Sequence, residues 1–167
     1  KGNRICFPPE LVMDSIAKAN KRPNIKGRNG KVNSLGAGNL YFHNLGGARD
    51  IFDAKTGTRK PASNQDAVDS IRVLDALDNC HTVTPFFTPP DISNELMSLH
   101  MYRHTLPHTT KPVQGPGIQF AHEVKYAVEM ANVVGTPANE LTLSLSPVSP
   151  LTMHDASAAV IMAMAEA

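Results

Sequence analysis

The chain has 167 residues, enough for one domain with a real core, and its 16 Lys and Arg against 15 Asp and Glu leave a formal charge of +1. That balance argues against a dedicated nucleic-acid binder or an acidic tail, and no apolar run approaches the roughly 18–20 residues of a membrane span. The 2 cysteines, Cys6 and Cys80, are too few and too isolated for a disulfide framework or a cysteine-rich metal site, and no signal-peptide pattern opens the chain, so a reduced, cytoplasmic setting is expected.

In chain order, Pro8 and Pro9 precede Leu11, Val12 and Ile16 at helical spacing, which predicts a short amphipathic helix. Residues 20–38 are rich in Asn, Gly, Lys and Arg and read as loop. Leu40-Tyr41-Phe42 and Arg49-Asp50-Ile51-Phe52 flank Gly46-Gly47 and predict a hairpin. From residue 61 helix and strand alternate. Ser63 caps a helix over about 65–77, residues 81–87 read as a strand, and 92–101 as a helix. A short strand follows at 111–113, and Gly115-Pro116-Gly117 turns into a helix over about 118–134. Residues 141–145 form the third strand, and a last helix begins near Met153.

This repetition predicts βαβ units and a parallel sheet. Three units are too few to close a barrel, so the periodicity fits a truncated (β/α)8 barrel and a truncated open sheet equally. The expected division is a lead-in over 1–60 (helix, basic loop, hairpin) and β/α units over 61–167. Lys1 is no initiator, and Ala167 stops the chain inside an apolar helical pattern (Val160, Ile161, Met164), which reads as a piece of a longer protein.

Several motifs invite chemistry. His100 and His104 are four apart on a predicted helix, but Met101 stands where the zinc-protease pattern needs Glu, and Pro107 separates His108 from them, so no metal site is expected. Gly36-Ala37-Gly38 resembles the start of a dinucleotide fingerprint without the strand and helix around it. Gly115-Pro116-Gly117 is better placed to hold an anion at a helix start, although Pro116 removes one donor. Lys18, Lys21, Arg22, Lys26, Arg28 and Lys31 form a basic stretch without interleaved aromatics, which reads as a solvated loop or a docking surface for an acidic partner.

Tyr41-Phe42-His43 is the densest aromatic cluster. It reads either as hairpin packing or as a wall for a cationic ligand, to which Phe86 and Phe87 at a strand end would add. Ser146-Pro147-Val148-Ser149-Pro150-Leu151-Thr152 joins the apolar alternation of Leu141, Leu143 and Leu145 to the last helix, placing hydroxyls where an α/β enzyme keeps its ligand.

Pro9-Glu10-Leu11-Val12, the run from Asp53 to Pro61, Thr84-Pro85 with Pro90-Asp91, Thr110-Lys111-Pro112 and the Ser146 to Thr152 junction, in this order and over most of the chain, resemble the trimethylamine methyltransferase family. The resemblance implies a truncated TIM-type barrel. It also implies transfer of a methyl group from a methylated amine (trimethylamine, or a quaternary amine such as glycine betaine) to cob(I)alamin on a separate corrinoid protein, as in methanogenesis. Trimethylamine enzymes of the family carry pyrrolysine further along the chain. Site residues expected from position are Tyr41, Phe42 and His43 around the ammonium group, with Gln114, Ser146 and Ser149 on the rest of the ligand. The expected partners are the small methylated amine and the corrinoid protein, with no nucleic acid or membrane and room for a homo-oligomer. The fragment itself is expected to be inactive. Two other readings stay open: a non-catalytic betaine-binding barrel, and an unrelated barrel enzyme taking an anion at Gly115 to Gly117.

Overall fold

The computed structural model describes residues 4–36, 38–136, 141–145, 147–150 and 152–167. Helix α1 (Pro9–Lys18) opens with proline at its first position, where no intrahelical N–H is needed, and buries none of its residues. The segment expected to be loop holds a hairpin, β1 (Asn24–Lys26) paired antiparallel with β2 (Val32–Ser34). Its strands are too short for an apolar alternation to announce them. They are held instead by Gly30 at positive φ in the turn and by buried Asn33, whose side chain donates to the His81 carbonyl at 3.0 Å.

The hairpin expected around Gly46-Gly47 lies further on, between β3 (Asp50–Phe52) and β4 (Arg59–Pro61). Asp53 makes the turn. Its carboxylate accepts from the amides of Lys55 (2.9 Å) and Thr56 (3.0 Å), and Gly57 takes the left-handed conformation that closes the loop. The Thr56 and Lys55 amides hold the Asp53 carboxyl below the usual carboxylate range.

Residues 43–48 belong to a different ladder, joined at His43 and Ala48, with Gly47 at positive φ between them. His43 bridges Thr82 and Ala48 bridges Phe87, both parallel, and Val83 bridges Val113 in the same sense. Strand β5 (Gln114–Gly117) then pairs in parallel with β6 (Thr142–Ser144). Segments 43–48, 82–87, 113–117 and 142–144 therefore lie side by side in chain order. A helix crosses between each pair: α2 (Asn64–Ala76), α3 (Met97–Thr105) and α4 (Ala121–Val133), with α5 (Asp155–Glu166) after the last. The fold is mixed α/β with small sheets, and among the described residues none closes into a barrel.

Ser63 caps α2 as its sequence predicts, accepting from the Asp66 amide at 3.1 Å while Asp66 accepts from the Ser63 amide at 2.9 Å. Gly115-Pro116-Gly117 is not a turn into a helix. These residues belong to β5, and α4 starts later, at Ala121. A Cβ on Gly115 would sit 1.6 Å from the Tyr102 hydroxyl, so glycine here lets α3 lie against the strand. Tyr102, Leu106, Val113, Ile118, Val124, Ala127, Ala131 and Val160 make the main core, where α3, α4 and α5 meet the parallel segments. Among the described residues no helix is long and apolar enough to cross a membrane.

Candidate functional site

An open cavity of about 930 Å³ is lined by residues 43–47, 84–85, 88, 97–98, 101, 114–120, 144–145, 154 and 156–157. It runs along the parallel segments (43–47, 84–85, 114–117, 144) and on to residues that follow them (88, 118–120, 145), the side on which parallel α/β folds place ligands. Each wall is fixed by a local bond. The Asn44 amide donates to the Thr84 carbonyl (2.7 Å) and accepts from the Thr84 N–H (3.0 Å), locking two neighbouring segments at the rim. Ser98 on α3 donates to the Gly117 carbonyl at 3.0 Å, and Ser144 donates to the Gly115 carbonyl at 3.3 Å.

The loop between β5 and α4 is set by Glu123. Its carboxylate, fully buried in the first turn of α4, accepts from the amides of Gln119 (2.9 Å) and Phe120 (3.0 Å). An acidic group there also meets the positive end of the helix. Phe120 lines the cavity, with its ring stacked on His122 at 5.7 Å and 18°. Among the described lining residues none is Lys, Arg, Asp or Glu. The surface is neutral and mixed: the amides of Asn44, Gln114 and Gln119, hydroxyls, two histidines, and the thioethers of Met97 and Met101. The Thr84 hydroxyl is buried there without a partner among the described residues.

Of the residues expected at the site, His43 and Gln114 line this cavity. Tyr41 and Phe42 stand beside it against His81. The Tyr41 ring meets His81 edge-on at 5.2 Å and its hydroxyl accepts from the Ser34 amide, while the Phe42 amide donates to His81 Nδ1 at 3.1 Å. Ser149 is exposed at the tip of a tight turn closed by reciprocal backbone bonds between Val148 and Thr152 and is not among the lining residues. Ser146 lies outside the described residues. Phe86 and Phe87 pair edge-to-face at 4.8 Å, and buried Phe87 packs with Ala62 and Ala67 rather than lining the cavity.

His100 and His104 lie 6.1 Å apart on α3, but among the described residues no group of three His, Cys, Asp or Glu is placed to hold a metal ion. Burial, then His100, Arg103 and His108, push the His104 imidazole below its ordinary value. Arg28, from the basic stretch, is not simply solvated. Its guanidinium donates to the carbonyls of Val134 (2.9 Å), Leu106 (2.7 Å) and Thr109 (2.5 Å). Asn44, Gln119, Phe120 and His154 were not singled out by sequence, and Thr84 entered only among the residues carrying the family resemblance.

The sequence model of the trimethylamine methyltransferase (MTTB) family matches residues 1–167. No curated protein matches the chain.

Proposed function

The chain belongs to the trimethylamine methyltransferase family, and from that premise we propose that it contributes the substrate cavity of an enzyme moving a methyl group from a methylated amine, preferably a quaternary one, to a corrinoid protein. The family supports methylated-amine methyl transfer at the level of reaction class. The observation that carries the finer reading is the neutral cavity lined by the parallel segments and the residues that follow them.

The order of those segments supports a barrel as the parent architecture. Each pairs with its predecessor in the chain across a helix. A (β/α)8 barrel repeats that step throughout, whereas a doubly wound sheet reverses direction at its switch point. Residues from 43 onward would then be early units of such a barrel, since the segment 43–48 already belongs to the parallel run, and the lead-in would be shorter than the 1–60 expected from sequence.

A quaternary ammonium loses methyl as a neutral tertiary amine, so its nitrogen needs no proton from a general acid. Desolvating the cation and aiming one N–CH3 bond outward is then what the protein must do. Neutral amides, hydroxyls and thioethers meet that requirement without trapping the cation in an ion pair. Of the site residues expected from sequence, we assign amine contact to His43 and Gln114, because both line the cavity.

A corrinoid carried on another protein asks this chain for access to the methyl group rather than for metal ligands. When bound, the corrinoid supplies the cobalt nucleophile that accepts the methyl group.

Methyl transfer by the full-length protein to free cob(I)alamin, followed by cobalt absorbance over a panel of methylamines and betaines, tests the proposal. Turnover of a quaternary amine above trimethylamine is expected. Absence of turnover with every member of the panel refutes it.

A further inference from the structure

We infer that Phe120 supplies the aromatic face that selects a methylated cation over a neutral molecule of the same shape, an assignment that deepens the proposed function and rests on it. Among the described lining residues Phe120 is the one Phe or Tyr; the aromatic cluster at Tyr41 and Phe42 stands outside.

Three features suit the ring to this role. It is placed by backbone bonds rather than by side-chain packing alone, since buried Glu123 accepts from the amides of Phe120 and Gln119 and thereby fixes the residue that begins α4. His122 lies stacked beside the ring, with centroids 5.7 Å apart. Lastly, the rest of the lining carries no Lys, Arg, Asp or Glu among the described residues, so no carboxylate there competes for the cation and no ammonium repels it. A positive nitrogen on this wall would meet the ring quadrupole with no charged side chain among the described lining residues beside it. Polarisable sulfurs of Met97 and Met101 supply soft contacts for its methyl groups.

The readout is a ratio of affinities, which a general loss of stability does not move. Choline and its neutral isostere 3,3-dimethylbutan-1-ol are titrated calorimetrically into the full-length protein. Wild type is expected to prefer choline by about tenfold, the size of one partly desolvated cation–aromatic contact. Phe120→Leu is expected to bring the ratio close to unity and Phe120→Tyr to retain it. Should Phe120→Leu fail to fold, fluorinated phenylalanines at position 120 keep the shape while draining the ring, and the ratio should fall stepwise with fluorine number.

A ratio unchanged by Phe120→Leu or by fluorination overturns the assignment while leaving the proposed function standing, provided the wild type still transfers methyl groups. If the wild type neither binds nor demethylates any methylated amine, both fall together.

Discussion

Asn44 and Thr84 are joined by two hydrogen bonds at once, the side-chain amide of one mimicking a backbone partner for both the N–H and the C=O of the other. The pair closes a gap in the parallel ladder between the bridges at Thr82 and Phe87. Asn44→Ala leaves the Thr84 backbone N–H and C=O short of partners in a half-buried setting, so a loss of about 1–3 kcal/mol is expected. Urea denaturation measures it. Asn44→Asp keeps the acceptor and loses the donor, so it should fall between wild type and alanine in the same assay.

Gly115→Ala should be among the most damaging single substitutions in the chain. The added methyl would meet the hydroxyl and ring of fully buried Tyr102, and because Tyr102 sits in the main core it has little room to retreat. A cost at the upper end of the about 1–3 kcal/mol typical of overpacking is expected. Tyr102→Leu, itself destabilising, should cost less in the Gly115→Ala background than in wild type. A thermal-melt double-mutant cycle that shows simple additivity would contradict the contact.

Arg28→Met removes a guanidinium that donates to three carbonyls, two of them at the 3-10 turn after α3 and one just past α4. The expected loss is about 1–2 kcal/mol, discounted for partial exposure. Arg28→Lys should recover little of it, because a compact ammonium cannot span the same three acceptors. Chemical denaturation of the two variants side by side decides the matter.

Asp75 at the end of α2 gives a pH prediction. Burial pushes its carboxyl upward, but the Thr109 hydroxyl, the Thr110 amide and the Lys111 ammonium outweigh that and hold it below the usual range. A carboxyl with a lowered folded value stabilises above its unfolded value, about 3.9, and loses that contribution as pH falls through the folded one. Wild type should therefore be more stable than Asp75→Ala at neutral pH, with the gap narrowing below about pH 4. A gap of constant size from pH 7 to 3 would rule this out.

The two thiols should separate cleanly. Cys6 is exposed, whereas Cys80 is buried and burial pushes its thiol upward. Maleimide titration of the native protein should modify Cys6 promptly and Cys80 only on unfolding.

Where sequence and structure agree, a local physical rule was strong. Ser63 and Asp66 are a capping box written in four residues, and Leu141, Leu143 and Leu145 alternate around β6. Where they part, the determinant was distant. β1 (Asn-Ile-Lys) and β2 (Val-Asn-Ser) are too short to show an apolar alternation, and Asn33 ties them to His81, 48 residues away. The stretch at 43–48 looked like the connection of a hairpin between 40–42 and 49–52 because Gly46-Gly47 is a turn signal. In the fold Gly46 is instead needed for close approach: a Cβ there would come 2.5 Å from the Pro85 carbonyl oxygen. Likewise Gly115-Pro116-Gly117 carries turn residues for a packing reason that only Tyr102 reveals. Phe120 was hidden inside a predicted helix, since nothing local shows that Glu123 delays the start of α4 by taking the preceding amides.

The side-by-side run of 43–48, 82–87, 113–117 and 142–144 bears on biogenesis. Each newly synthesised stretch finds its template already in place upstream, separated by one helical crossover (with the β3–β4 hairpin added in the first), so assembly can keep pace with translation instead of waiting for a remote partner.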